Sequence, residues 1–376
     1  MKSINYLFVA LLLLPLFGGC GHRKPLVSTP DTDSPQSEQS SFKHQVSNGI
    51  YYWRTRIELD SAELAFIRRH EIHHLYIRMF DVKVCVPTSD NSYFSVIPNA
   101  TLLFSDKWQH RVDSISDIAI TPVVYLTLDA LKAMHDKEDT LAELIITRAL
   151  NMCSRNYMFN VEGLQLDCDW TESTEQSYFT LCNAMSKFLK EYKNQYLQTN
   201  NLLLSSTIRL HQLQREAPPV DYGILMVYNT GAFDNPDANN SIIDIEDVKP
   251  YLKNINRYAL HLDIAYPTYS WQLLYRNRKF IGLFNNIEVS NATYFKPVTK
   301  NKFVATKEYL HNDRILLRGD IIRQESSGYP QLLQVKTLID SRYTKPHATL
   351  LYHLDMHNLS NYSDDEINTL YNNTIR

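Results

Sequence analysis

From Gly49 onward, short apolar runs alternate with amphipathic stretches. The runs, rich in Ile, Val, Leu and Tyr, predict strands over 49–54 (GIYYWR), 74–80 (HLYIRMF), 119–128 (AITPVVYLTL) and 161–168 (VEGLQLDC). Four more are predicted over 202–208 (LLLSSTI), 222–228 (YGILMVY), 258–264 (YALHLDI) and 348–354 (ATLLYHL). Helical periodicity covers 60–70, 138–156, 171–198, 245–255, 330–342 and 363–372. Eight rounds of strand and helix predict parallel strands joined by crossovers and closed as an α/β (β/α)8 TIM barrel. The fifth crossover is short, since only a brief segment ending in Pro218-Pro219 separates Ile208 from Tyr222.

Two excursions interrupt the alternation. Residues 84–118 follow the second strand, and 267–329 follow the seventh. The latter holds KFIGLFN, NKFVATKEYL and DRILLRGDIIRQESS, which predict extra strands in a β-rich lobe over the barrel mouth. Both excursions belong to the end of a barrel where chemistry is usually done.

The first 20 residues, MKSINYLFVALLLLPLFGGC, combine Lys2 with an apolar core from Tyr6 to Phe17. Gly18, Gly19 and Cys20 resemble a bacterial lipobox, with Phe17 where Leu is usual, so Cys20 is expected to be lipidated. Residues 21–45 are rich in Ser, Pro and charge and read as a flexible tether, which leaves 46–376 as the folded domain. A cell-envelope location with a membrane anchor follows as an expectation.

Composition narrows the partners. Thirty-eight Lys and Arg against 41 Asp and Glu give a net charge of −3, so no nucleic-acid footprint is present. Ten glycines argue against phosphate-cradling loops, and no cofactor is expected, whereas 24 Tyr and 4 Trp can furnish aromatic surfaces. Cys85, Cys153, Cys168 and Cys182 show no CxxC spacing and read as small apolar residues. One competing motif is His70-Glu71-Ile72-His73-His74, which satisfies the H-E-x-x-H of zinc peptidases. That chemistry needs one helix running through His74, but the alternation starting there places the motif in a helix-to-strand loop.

The fourth strand carries the sharpest chemistry. In Glu162-Gly163-Leu164-Gln165-Leu166-Asp167-Cys168-Asp169-Trp170, alternation puts Gln165, Asp167 and Asp169 on one face and Leu164, Leu166 and Cys168 on the other. Two inward carboxylates at a strand end form a candidate acid pair, each able to raise the other's pKa.

This segment resembles the D-G-x-D-x-D-x-E strand of chitinase-like family-18 glycoside hydrolases. Glu162 and Gly163 match its start, Asp167 its last Asp, and Asp169 stands at the acid Glu, while Gln165 replaces the middle Asp. Met226-Val227-Tyr228-Asn229 resembles the family's M-x-Y-D, whose Tyr and Asp hold the attacking N-acetyl group; here Asn229 departs from Asp. The family's Trp at the end of strand eight is missing from ATLLYHLD. Over most of 49–376 the phrases LYIRMFDV, GLQLDCDW, TIRLHQL, MVYNTG, AYPTYSW and RGDIIRQES also resemble a Bacteroidetes-type family of glycoside-hydrolase-like TIM-barrel lipoproteins.

The resemblance implies a complex or N-acetylated glycan as ligand, with Asp169 as proton donor, Asp167 as its electrostatic partner and Tyr228 orienting the sugar. Arg78, Arg209, His211, Asn229, Asp263, Tyr266 and Glu325 are the further polar candidates for the mouth, and Trp53 and Trp170, with Trp271, the stacking candidates. A non-catalytic glycan-binding or structural lipoprotein on the same scaffold is the alternative.

Overall fold

The apolar runs pair edge to edge because each is buried on both sides, the usual state of a parallel strand. A computed structural model describes residues 47–85, 95–192 and 201–372; the predicted leader, Cys20 and the tether lie outside them. Eight parallel strands run in chain order: β1 Gly49–Tyr52, β2 His74–Cys85, β3 Ala119–Leu126, β4 Gly163–Asp167, β5 Leu203–Arg209, β6 Tyr222–Met226, β7 Leu262–Pro267 and β8 Thr349–Tyr352. Each pairs with the next, and β1 also pairs with β8, Gly49 lying opposite both His74 and Leu350. The sheet therefore closes as the expected (β/α)8 barrel.

The outer faces of the strands, among them Leu164, Leu166 and Cys168, pack on helices α1 Ser61–Arg69, α2 Glu138–Arg155, α3 Glu175–Glu191, α4 Tyr329–Arg342 and α5 Asp364–Tyr371. Cys153, Cys168 and Cys182 are wholly buried there as thiols. The helix predicted over 245–255 divides into Ile245–Val248 and the 3-10 turn Tyr251–Arg257, because Pro250 lacks an N–H and interrupts the ladder. The fifth crossover is only the 3-10 turn Leu210–Gln214. Among the described residues, no helix is long and apolar enough to cross a membrane.

Two helix ends bear on function. Helix α1, capped by a reciprocal Asp60–Glu63 box, stops at Arg69. His70 then caps it, and β2 begins at His74, so the H-E-x-x-H residues do not share a helical face. His70 Nδ1 lies 2.8 Å from Asn368 Oδ1, while His74 Nε2 lies 2.8 Å from Thr121 Oγ1 inside the barrel. The two imidazoles thus serve different neighbourhoods, which removes the zinc-peptidase arrangement. At the end of α2, the Met158 N–H reaches Cys153 O at 3.0 Å and Tyr157 N–H reaches Ser154 O at 3.3 Å. That double bond pattern demands a left-handed residue, normally glycine, and Tyr157 supplies it at φ +60°. For a side chain with Cβ such a backbone costs roughly 1–2 kcal/mol.

Both excursions build sheet. Strand β2 overruns its predicted end and pairs antiparallel with Ser95–Asn99. After β7, the strands Ser270–Arg276, Lys279–Phe284, Phe295–Pro297, Lys302–Ala305 and Ile321–Ser326 form one antiparallel sheet. Its own small core includes Leu274, Phe284, Phe295, Leu316 and Ile322. This is the predicted lobe, entered and left at the C-terminal end of the barrel.

The start of β4 has no room for a side chain. A Cβ on Gly163 would lie 2.2 Å from the Leu203 carbonyl oxygen, a backbone atom of the paired strand β5. Gly163→Ala is therefore expected to cost about 1–3 kcal/mol of unfolding free energy. Urea denaturation checks this, and an unchanged midpoint would mean that β4 and β5 are free to separate at this point.

Candidate functional site

The barrel interior is built in layers from the inward face of each strand. Low in the barrel, Tyr51 donates to Gln165 Oε1 at 2.8 Å, Gln165 Nε2 donates to Ser205 Oγ at 3.2 Å, and the Tyr76 and Tyr222 hydroxyls meet at 3.1 Å. Burial pushes the Tyr222 phenol up to about 12, so this layer is neutral and fully engaged. Gln165, the departure within the strand-four motif, is thus a partner of Tyr51 in the packed interior.

Above it, β4, β5 and β6 converge. Asp167 is 3% exposed and its Oδ1 accepts from Thr207 Oγ1 at 2.7 Å and from Arg209 Nη2 at 2.9 Å. Arg209 Nη1 also contacts Met226 Sδ. Burial pulls the Arg209 pKa down, but Asp167 and Asp169 outweigh it and hold the guanidinium above its ordinary value. Asp169 leaves the strand, because β4 ends at Asp167, and its side chain is 51% exposed with Oδ1 3.6 Å from His211 Nε2. Burial lowers the His211 pKa more than Asp169 raises it. The expected carboxylate pair is therefore replaced by two carboxylates that each face a basic side chain.

Aromatic rings wall this centre. Tyr228 lies 5.1 Å from Tyr352 and 6.2 Å from Tyr269, between ring centroids. Trp53 lies 5.7 Å from Tyr352, and Tyr269 is 5.5 Å from Trp271. The Arg78 guanidinium sits 5.7 Å from the centroid of Trp53, while its Nε and Nη2 clamp Asp81 at 2.9 and 2.6 Å. Asn229, at φ +55°, accepts from the Tyr269 hydroxyl at 2.6 Å. Among the described residues, the buried Tyr228 hydroxyl has no hydrogen-bond partner. Tyr125, pushed up to about 12 by burial and then by Asp167, completes the wall beside β4.

Thr207, Tyr125, Tyr269 and Tyr352 were not among the sequence candidates. Tyr352 could have been found, since it shares the inward face of its run with Ala348 and Leu350.

Four sequence candidates lie elsewhere. Trp170 is wholly buried against the helices, stacked 6.0 Å from Tyr178, because it shares the outward parity of Leu166 and Cys168. Tyr266 also faces outward, as Ala265 takes the inward place. The seventh strand begins four residues later than predicted, at Leu262, so Asp263 lies at its start and accepts from the Ala348 N–H at 2.7 Å on the barrel floor. Glu325 is locked inside the lobe by Arg323 Nε, Ser241 Oγ and Trp271 Nε1, each at 2.6 Å. Trp271 remains on the mouth's edge, half-buried and tied to that carboxylate.

The same barrel recurs in solved structures. A chitinase from Chromobacterium violaceum superposes with a TM-score of 0.52 at 11% identity, over 87% of this chain and all of that one (100%). The Bacillus cereus spore cortex-lytic enzyme SleL gives 0.51 at 13% identity, over 88% of this chain and 75% of its own. A plant class V chitinase mutant from Cycas revoluta, in complex with (GlcNAc)3, gives 0.50 at 10% identity, over 86% and 99%. The fold is thus a TIM barrel that these solved structures share. No protein-family model matches the chain, and no curated protein matches it in sequence.

Two measurements probe the mouth. Arg209→Met should cost about 3 kcal/mol or more in unfolding free energy, because it strands a buried carboxylate. The double variant with Asp167→Asn should recover most of that loss, and purely additive losses would deny the coupling. At the end of β8, burial pulls the His353 imidazole down to about 4 against the opposing effect of Asp355. The unfolded chain protonates first as pH falls through about 6.5, so His353 withdraws stability between there and about pH 4. His353→Gln should therefore gain on the wild type as pH drops from about 7 to about 4.5, and a pH-independent difference in urea unfolding would contradict this.

Proposed function

We propose that this chain is a glycoside-hydrolase-like protein of the cell envelope, anchored through a lipid on Cys20, that takes a complex or N-acetylated glycan into the barrel mouth. The observation that carries the reading is the wall of Trp53, Tyr228, Tyr269, Trp271 and Tyr352 around the Asp167–Arg209 pair. Pyranose rings present C–H faces to aromatic rings, and the unpartnered Tyr228 hydroxyl is placed to bond a sugar substituent. Asp169, half-exposed at the strand-four end, is the proton donor in this reading. Asp167, fixed by Thr207 and Arg209, sets the local charge, and His211 stands beside the donor. The (GlcNAc)3 in the Cycas revoluta chitinase complex supports the ligand class.

One observation favours a second reading, binding without turnover. The Asp167 carboxylate is already engaged by a guanidinium, and Asp169 is a methylene shorter than the Glu that the motif carries, where proton delivery tolerates little displacement. A panel of N-acetylated and other complex glycans, offered to wild type, Asp169→Asn and Trp53→Ala, separates the two. Hydrolysis lost in Asp169→Asn by about a hundredfold or more supports the enzyme. Binding without hydrolysis in wild type, weakened about tenfold by Trp53→Ala, supports the binder. A protein that neither binds nor cleaves any glycan through this mouth rejects both.

A further inference from the structure

Tyr157 occupies a place that folding does not favour. It is the left-handed residue after α2, where glycine fits best, and its side chain is 51% exposed. Of the eleven non-glycine residues with positive φ among the described residues, six are Asn or Asp, which tolerate that backbone; Tyr157 is the one aromatic. A strained backbone and an exposed ring thus fall on one residue.

The ring has a setting. It meets Phe159 edge to face, with centroids 6.1 Å apart and planes at 88°. Both line a cleft of about 300 Å³ at the N-terminal end of the barrel, opposite the mouth. The cleft's polar rim includes Gln109, Asp113, Ser116 and Asn160. The side chains of Gln109, Asp113 and Asn160 make no hydrogen bond among the described residues, so their donors and acceptors are available to a ligand.

The frame is fixed. Trp108 Nε1 donates to Asn156 O at 2.8 Å, and the Ile120 N–H donates to Asn160 O at 2.8 Å. Among the described residues no Lys or Arg lines the cleft, which disfavours phosphate and acidic sugars. An aromatic face beside free amides and one carboxylate suits a neutral, hydroxyl-rich ring.

We propose that this cleft is a second carbohydrate-binding site, independent of the mouth, with Tyr157 as its stacking platform. The amides of Gln109 and Asn160 and the Asp113 carboxylate take the sugar hydroxyls. A glycan chain held here engages the end of the barrel away from the chemistry, so the assignment stands whether or not the mouth hydrolyses anything.

The test titrates the full chain with neutral trimers of N-acetylglucosamine, glucose, mannose and xylose, by calorimetry. At least one trimer should bind both wild type and the mouth variant Trp53→Ala. In the Trp53→Ala background its Kd should rise about tenfold or more with Tyr157→Gly or Tyr157→Asn, but stay within about threefold with Tyr157→Phe. Both Tyr157→Gly and Tyr157→Asn should melt at or above the wild-type temperature, since each residue suits this φ better than Tyr. The proposal is overturned if no trimer binds, if its Kd in the Trp53→Ala background is unchanged by Tyr157→Gly, or if Trp53→Ala alone abolishes binding.

Discussion

Side-chain alternation within a closed parallel barrel is the constraint on which this structure depends. Every barrel strand is buried on both faces, so a step of one residue moves a side chain from the helical layer to the interior. Along β4, Leu164, Leu166 and Cys168 seal the helices while Gln165 and Asp167 line the bore. After β6 the same rule sends Tyr228 inward with Met226 and leaves Val227 outside. The centre at the mouth is the last inward residue of several strands, brought together by closure.

That constraint explains what could be read from the chain. All eight strands were legible because two-sided burial writes each as a dense run of Ile, Val, Leu and Tyr. Their ends were not, since an end is set by register with a neighbour. Asp263 closes an apolar run in the sequence, yet pairing with β6 starts the strand at Leu262 and carries Asp263 to the floor. Trp170 illustrates a different failure. Its even parity places it with Leu166 and Cys168, on the helical side, although its indole alone suits a stacking surface. Asp169 has the right parity but follows the strand's last paired residue, so it emerges into solvent.

Long-range partners were the least legible. Glu325 reads as a lobe carboxylate above the mouth. Arg323, two residues earlier on the same strand face, could have hinted at an internal pair, but Ser241 and Trp271 come from distant segments and complete its burial. Arg323 Nη1 also donates to the carbonyls of Asn235 and Ala238. These bonds tie the segment after β6 to the lobe, so that segment and the lobe are held as a unit. A buried charge with this many partners serves position before chemistry, because freeing it would expose several desolvated groups at once.

The charge pattern at the mouth constrains what can enter. Arg78 is clamped by Asp81 and Arg209 by Asp167, so each of these guanidinium groups has its own carboxylate. Paired in this way, the charges largely cancel beyond the immediate contact and project little field toward an approaching ligand. An anion or cation would have to break a pair whose members are already partly desolvated. What the mouth offers without such a cost is the faces of its Trp and Tyr rings and the unpaired hydroxyl of Tyr228. In the function proposed here, a neutral ring with apolar faces and polar edges is the ligand that matches that supply.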